Sequence, residues 1–163
     1  MIKNVIIAML LMSFPVMAAD KTIDNILVEK SARKMYLRQG ENTIKEYNIR
    51  LGPNPIGHKE QEGDGKTPEG KYTISGRNPK SAYHLALRVS YPNAADKSHA
   101  AVKKVSPGGD IMIHGYPNYA SNAIFDAVHN NYDWTAGCIA VTDKEIEEIW
   151  QLVPNGTLIE IKP

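Results

Sequence analysis

Residues 83–91, Tyr-His-Leu-Ala-Leu-Arg-Val-Ser-Tyr (YHLALRVSY), alternate with period two. Tyr83, Leu85, Leu87, Val89 and Tyr91 share one face; His84, Ala86, Arg88 and Ser90 share the other. Successive strand side chains point to opposite faces, so this pattern predicts a half-buried strand. Pro92-Asn93 ends it. Further strands are expected on both sides. Ile26-Leu27-Val28 is a short apolar run. Met35 and Leu37, then Ile44 and Tyr47, flank the turn Gln39-Gly40-Glu41-Asn42 and predict a hairpin. Tyr72-Thr73-Ile74 begins another strand, Ile111-Met112-Ile113 is a short one, and Thr157 to Ile161 closes the chain.

Helices are few. Thr142 with Glu145 three residues on forms a capping box, and Ile146, Ile149, Trp150 and Val153 follow helical spacing up to Pro154. Ala94 to Lys104 has the composition of one short helix, broken by Ser106-Pro107-Gly108-Gly109. Residues 51–71 and 116–134 read as two long connections, the second with one helical turn near Ala123 to Val128. There is no regular βαβ alternation and no Gly-x-Gly-x-x-Gly, so a nucleotide-binding α/β fold is not indicated. The expected class is mainly β with a helix near the C-terminus.

The chain has 163 residues, 42% hydrophobic and 23% charged. That suits one globular domain, which buries roughly 70% of its unfolded surface at this length without disulfides or metals. Nineteen Lys and Arg against eighteen Asp and Glu leave no basic excess, which argues against nucleic acid as a partner. One cysteine excludes an internal disulfide and a cysteine-rich zinc site. His84, His99, His114 and His129 are evenly spaced but have unlike neighbours. They carry no metal-binding motif, and no cofactor is expected.

Residues 1–19 have the layout of a secretory signal peptide: Lys3, the apolar run Val5 to Met12, then Val16-Met17-Ala18-Ala19. The run is short for a membrane anchor, and no cysteine follows it to carry a lipid. An exported protein in the periplasm or cell envelope is expected, with residues 20–163 as the mature domain and no stable membrane anchor once the signal is removed. In an oxidising compartment a lone thiol such as Cys138 needs a reason.

Cys138 follows Gly137, after a long loop and before a strand-like triplet. Backbone N–H groups around such a turn can face a developing oxyanion. A nucleophilic thiol also needs a base. His114, at the end of a short strand and followed by Gly115, is one candidate; His129, nearer in sequence, is another. Spacing does not choose between them.

Ile-x-Ile-His-Gly at 111–115, followed by Thr-x-Gly-Cys-Ile at 135–139, resembles the L,D-transpeptidase catalytic domain, or YkuD domain. Lys66-Thr67-Pro68-Glu69-Gly70 is similar to that family's Thr-Pro-x-Gly segment. The stretches 84–96, 107–115 and 133–150 resemble its YafK-type branch. The resemblance runs from about residue 26 to the C-terminus. It implies a β-sandwich with few helices, Cys138 as nucleophile and His114 as base. It also implies that the Gly115 carbonyl orients the imidazole and that Gly137 and Cys138 offer oxyanion N–H groups. Most members carry Arg or Asn where this chain has Ala140, and the segment 116–134 is longer than in many.

The implied chemistry is acyl transfer on peptidoglycan tetrapeptide stems through a thioester at Cys138. A stem amine as acceptor gives a 3–3 cross-link. Water gives a hydrolase or carboxypeptidase, acting on cross-links or on the linkage to a peptidoglycan-bound lipoprotein. Arg88 is a candidate to bind stem carboxylates, which its guanidinium engages bidentately. Tyr91, Thr135 and Trp134 are further candidates for the substrate wall, and Asp133 either shapes the pocket or packs.

Overall fold

The computed structural model describes residues 22–163; the expected signal peptide lies outside the described residues. Eight strands and three helices follow in the order β1 Asn25–Glu29, β2 Lys34–Gln39, β3 Asn42–Asn48, β4 Gly70–Ser81, β5 His84–Val89, α1 Ala94–Val102, β6 Met112–His114, α2 Asn122–Asn131, β7 Ile139–Ala140, α3 Asp143–Leu152 and β8 Leu158–Lys162. The mainly β expectation holds. No described helix is long and apolar enough to cross a membrane.

The strands run β3-β2-β1-β8-β4-β5-β6-β7. β8 lies between β1, which it pairs in parallel, and β4, which it pairs antiparallel. β4 is longer than its opening triplet suggests. It pairs with β8 through Gly70 to Thr73 and with β5 from Ile74 to Ser81, so it belongs to both halves of the sheet. The ends of this order meet where Arg50, just past β3, bridges Ala140 in β7. One core draws on both halves and on α3: Ile26, Val28, Met35 and Leu37, with Leu87, Val89, Ile113, Ile146 and Ile149.

α3 starts as its sequence predicts, with Thr142 and Glu145 satisfying each other's backbone N–H groups. Two local expectations need correction. The segment 116–134 holds ten helical residues rather than one turn. Tyr83 leaves the apolar face of β5, because a turn precedes the strand and His84 has a left-handed φ of 61°, which breaks the alternation there.

The loop from Leu51 to Glu69 has no regular structure but is held firmly. The buried Lys30 ammonium donates to the carbonyls of Gly57 and Thr67 and to the Glu69 carboxylate. Asp64 accepts from Lys59 Nζ and from the N–H groups of Glu60, Gln61 and Lys66. Burying so many polar groups is tolerable only because they are paired.

Candidate active site

The turn that carries Cys138 is built from its neighbours. Asp133 receives the Arg33 guanidinium at 2.6–3.0 Å and the Leu51 N–H at 3.0 Å, pinning the start of the turn. Burial works against the Asp133 charge, but these donors prevail and hold its carboxyl below the usual range. The Thr135 hydroxyl donates to the Cys138 carbonyl at 2.8 Å and accepts from the Gly137 N–H at 3.1 Å. The buried Thr67 hydroxyl donates to the Gly137 carbonyl at 2.8 Å. Gly137 has φ 129°, and a Cβ there would lie 2.5 Å from the Lys66 carbonyl oxygen, so only glycine fits.

His114 ends β6. Its Nδ1 lies 2.7 Å from the Gly115 carbonyl oxygen. A carbonyl only accepts, so Nδ1 carries the proton of the neutral ring and Nε2 keeps a lone pair. Gly115 is squeezed as well: a Cβ would meet the Asp143 carboxylate at 2.5 Å. The imidazole packs against the Tyr83 ring (centroids 4.5 Å apart) and the Trp134 ring (5.6 Å). Burial drives its pKa down to about 4, against the Gly115 carbonyl, which favours the protonated ring.

Cys138 and His114 line one cavity of about 500 Å³, with Tyr83, Arg88, Asp110 and Trp134. Cys138, Asp110 and Ala136 also border a second cavity of about 360 Å³, reached by Lys59. The thiol donates to the Asp110 carbonyl at 3.4 Å. Burial pushes the thiol pKa up, and the Asp110 charge adds to this; the Met112 N–H and Lys59 oppose without reversing it. At neutral pH the resting pair is therefore thiol and neutral imidazole. Among the described residues no group of three or more His, Cys, Asp or Glu is placed to hold a metal.

Several sequence-predicted residues lie elsewhere or act otherwise. The Gly137 N–H is taken by Thr135, so of the two implied oxyanion donors only the Cys138 N–H is free of a protein acceptor. Thr135 borders the cavity, but its hydroxyl is spent inside the turn rather than on substrate. Tyr91 is not in the cavity. It is 5% exposed, packs near Tyr72 and donates to the Pro107 carbonyl at 2.8 Å. It lies two residues past the end of β5 and continues the core-facing side set by Leu87 and Val89, which is why it points away. Arg88 and Trp134 do line the cavity.

His129 is buried on α2, beside Trp134, whose Nε1 is 3.4 Å from its Nδ1, and is not among the cavity residues. Ala140 is fully buried in β7 and touches neither cavity. Sequence reasoning missed Tyr83, Asp110 and Thr67. The Thr-Pro segment signalled Thr67, but nothing local to Asp110 or Tyr83 marked them.

Residues 24–161 match the L,D-transpeptidase catalytic domain (YkuD). YafK of Escherichia coli K12, provisionally named an L,D-transpeptidase, is 32% identical over 143 residues, which is 85% of this chain and 49% of YafK. The crystal structure of Pgp2, a helical cell shape determining protein of Campylobacter jejuni, superposes with a TM-score of 0.64 at 28% identity, over 88% of this chain and 52% of that one. An L,D-transpeptidase of Mycobacterium smegmatis, 12% identical, shares the fold with a TM-score of 0.56 over 85% of this chain and 58% of its own. The chain spans about half the length of YafK and Pgp2. It belongs to the L,D-transpeptidase catalytic domain (YkuD) family.

Proposed function

We propose that this protein is an exported L,D-transpeptidase of the cell envelope that acts on peptidoglycan tetrapeptide stems through a Cys138 thioester and forms 3–3 cross-links. The observation that carries this reading is the single cavity shared by a thiol and an imidazole whose Nδ1 is held by the Gly115 carbonyl. Nε2 takes the thiol proton as sulfur attacks the carbonyl of the L-centred stem residue. The Cys138 N–H faces the oxyanion that develops. Collapse breaks the C–N bond, His114 returns the proton to the departing D-alanine amine, and the thioester remains. His114 then deprotonates an incoming stem amine, which attacks the thioester and frees the thiol. No cofactor enters any step.

The same thioester can pass to water. One observation favours this second reading, a cysteine hydrolase or carboxypeptidase for stems, cross-links or lipoprotein linkages. The helix-bearing segment 116–134, longer than in many members, brings Trp134 to the cavity wall. Similarity to Pgp2, a cell shape determinant, fits wall remodelling under either reading.

The test is a muropeptide profile of purified sacculi incubated with the protein and with Cys138→Ala. New 3–3 dimers and released D-alanine, absent from the variant, establish the transpeptidase. Loss of existing links or release of bound protein without new dimers establishes the hydrolase. No difference between protein and variant overturns both.

A further inference from the structure

Three features meet at Asp110. Its carboxylate forms an ion pair with the Arg88 guanidinium, and both residues line the cavity that holds Cys138 and His114. Its carbonyl oxygen accepts from the Cys138 thiol at 3.4 Å. Its φ is 53°, in the left-handed region that aspartate visits more readily than most residues with a Cβ. The thiol proton is therefore directed at Asp110 rather than at His114 Nε2.

We propose that Arg88 is the specificity-determining site for the terminal D-alanine carboxylate of the stem, and that Asp110 occupies this site until substrate displaces it and so frees the thiol. The inference rests on the stem-acyl-transfer reading given above. The terminal carboxylate is the charge nearest the scissile bond by connectivity, because it belongs to the leaving residue itself. Arg88 borders the same cavity as Cys138 and presents the planar, multi-donor group suited to a carboxylate. Its side chain is 49% exposed and that of Asp110 is 74% exposed, so their pair is weakly held and open to exchange. Once Arg88 turns to substrate, the Asp110 carboxylate loses its partner. Gly108 and Gly109 precede it and let the segment relax. The carbonyl then leaves the sulfur, and the thiol proton can turn to His114. A leaving amine without an adjacent carboxylate, such as a lysine side chain, does not open this latch.

Two measurements on the purified protein test the proposal. The first is the rate of Cys138 alkylation by iodoacetamide, a small neutral probe, read by intact mass. Breaking the pair from either side should release the latch, so Arg88→Gln and Asp110→Gly should each label about 5–10-fold faster than wild type. Simple electrostatics predicts the opposite for Arg88→Gln, since removing a cation that offsets Asp110 should slow thiolate formation. Unchanged or slower labelling of Arg88→Gln overturns the latch.

The second is turnover of a tetrapeptide stem with its terminal carboxylate free or amidated. Wild type should prefer the acid at least tenfold in kcat/KM, and Arg88→Gln should lose that preference. Equal turnover of acid and amide by wild type overturns the role of Arg88. If neither stem is consumed, the stem-acyl-transfer reading itself fails, which is a distinct result.

Discussion

Arg50 and Ala140 exchange both of their backbone hydrogen bonds, at 2.9 and 2.8 Å. This bridge joins the two ends of the strand order only two residues past Cys138. The Ala140 side chain is sealed at the seam. Ala140→Arg should therefore bury an unpartnered charge and cost about 3 kcal/mol or more of stability, while Ala140→Ser should cost about 1–3 kcal/mol. Urea unfolding of the three proteins checks this. An arginine accommodated without loss would show that side chains at position 140 reach the surface.

His114 and His129 are both buried histidines beside Trp134, yet only His114 shares a cavity with the thiol. Acylation by a carbapenem, followed by mass, should separate them. His114→Gln should lower the rate about 10²–10⁴-fold, the range of a general base. His129→Gln should stay within about tenfold. Equal losses would undo the choice of His114.

Thr135→Val keeps the shape of the side chain and removes its hydroxyl. The Cys138 carbonyl and the Gly137 N–H then lose their partner together. Each such loss costs about 1–3 kcal/mol when the group stays buried. A turn displaced by about an ångström can lose around 10²-fold in rate. Thr135→Ser should restore both stability and acylation, and if it does not, the hydroxyl is not what holds the turn.

Stability should fall in mild acid. The folded pKa values of His114 and His129 are both lowered to about 4, chiefly by burial. The unfolded chain binds these protons near the ordinary value of 6.5, so it is favoured as pH drops from about 6.5 to 4. The contribution is complete above about pH 6.5 and exhausted below about pH 4. Each histidine accounts for roughly 2–4 kcal/mol. Denaturant titrations across this range should show the loss, and His129→Gln should reduce it by about half. A slope unchanged in that variant would mean His129 takes up its proton equally in both states.

The parts that were legible in sequence carry local signals. The capping box placed α3, period two placed β5, and the hairpin turn placed β2 and β3. His114 and Cys138 stood out because each sits against a glycine in a recognisable motif. Tyr91 misled for a physical reason: alternation tells which residues share a face, not which face meets the cavity. Asp110 and Tyr83 were silent because their roles come from left-handed backbone turns, at Asp110 itself and at His84, that no periodicity encodes. The length of α2 was hidden because its apolar residues do not form one buried stripe: Ile124 is exposed, while the residue the helix buries is the polar His129. Its register is set by Phe125 and His129 packing around Trp134.

The residues that shape the Cys138 turn come from far along the chain. Arg33, Leu51, Lys66 and Thr67 all precede it by roughly 70 to 105 positions. Contacts of such separation close late in folding, because the loop entropy must be overcome first. Until then Cys138 is an ordinary thiol on a flexible chain, without an oriented imidazole or a shaped turn. Under the proposed function, competence for acyl transfer is thus tied to completion of the domain. A partly folded or truncated copy is silent in acyl transfer, even though its thiol, no longer buried or held by Asp110, still reacts with a simple alkylating agent.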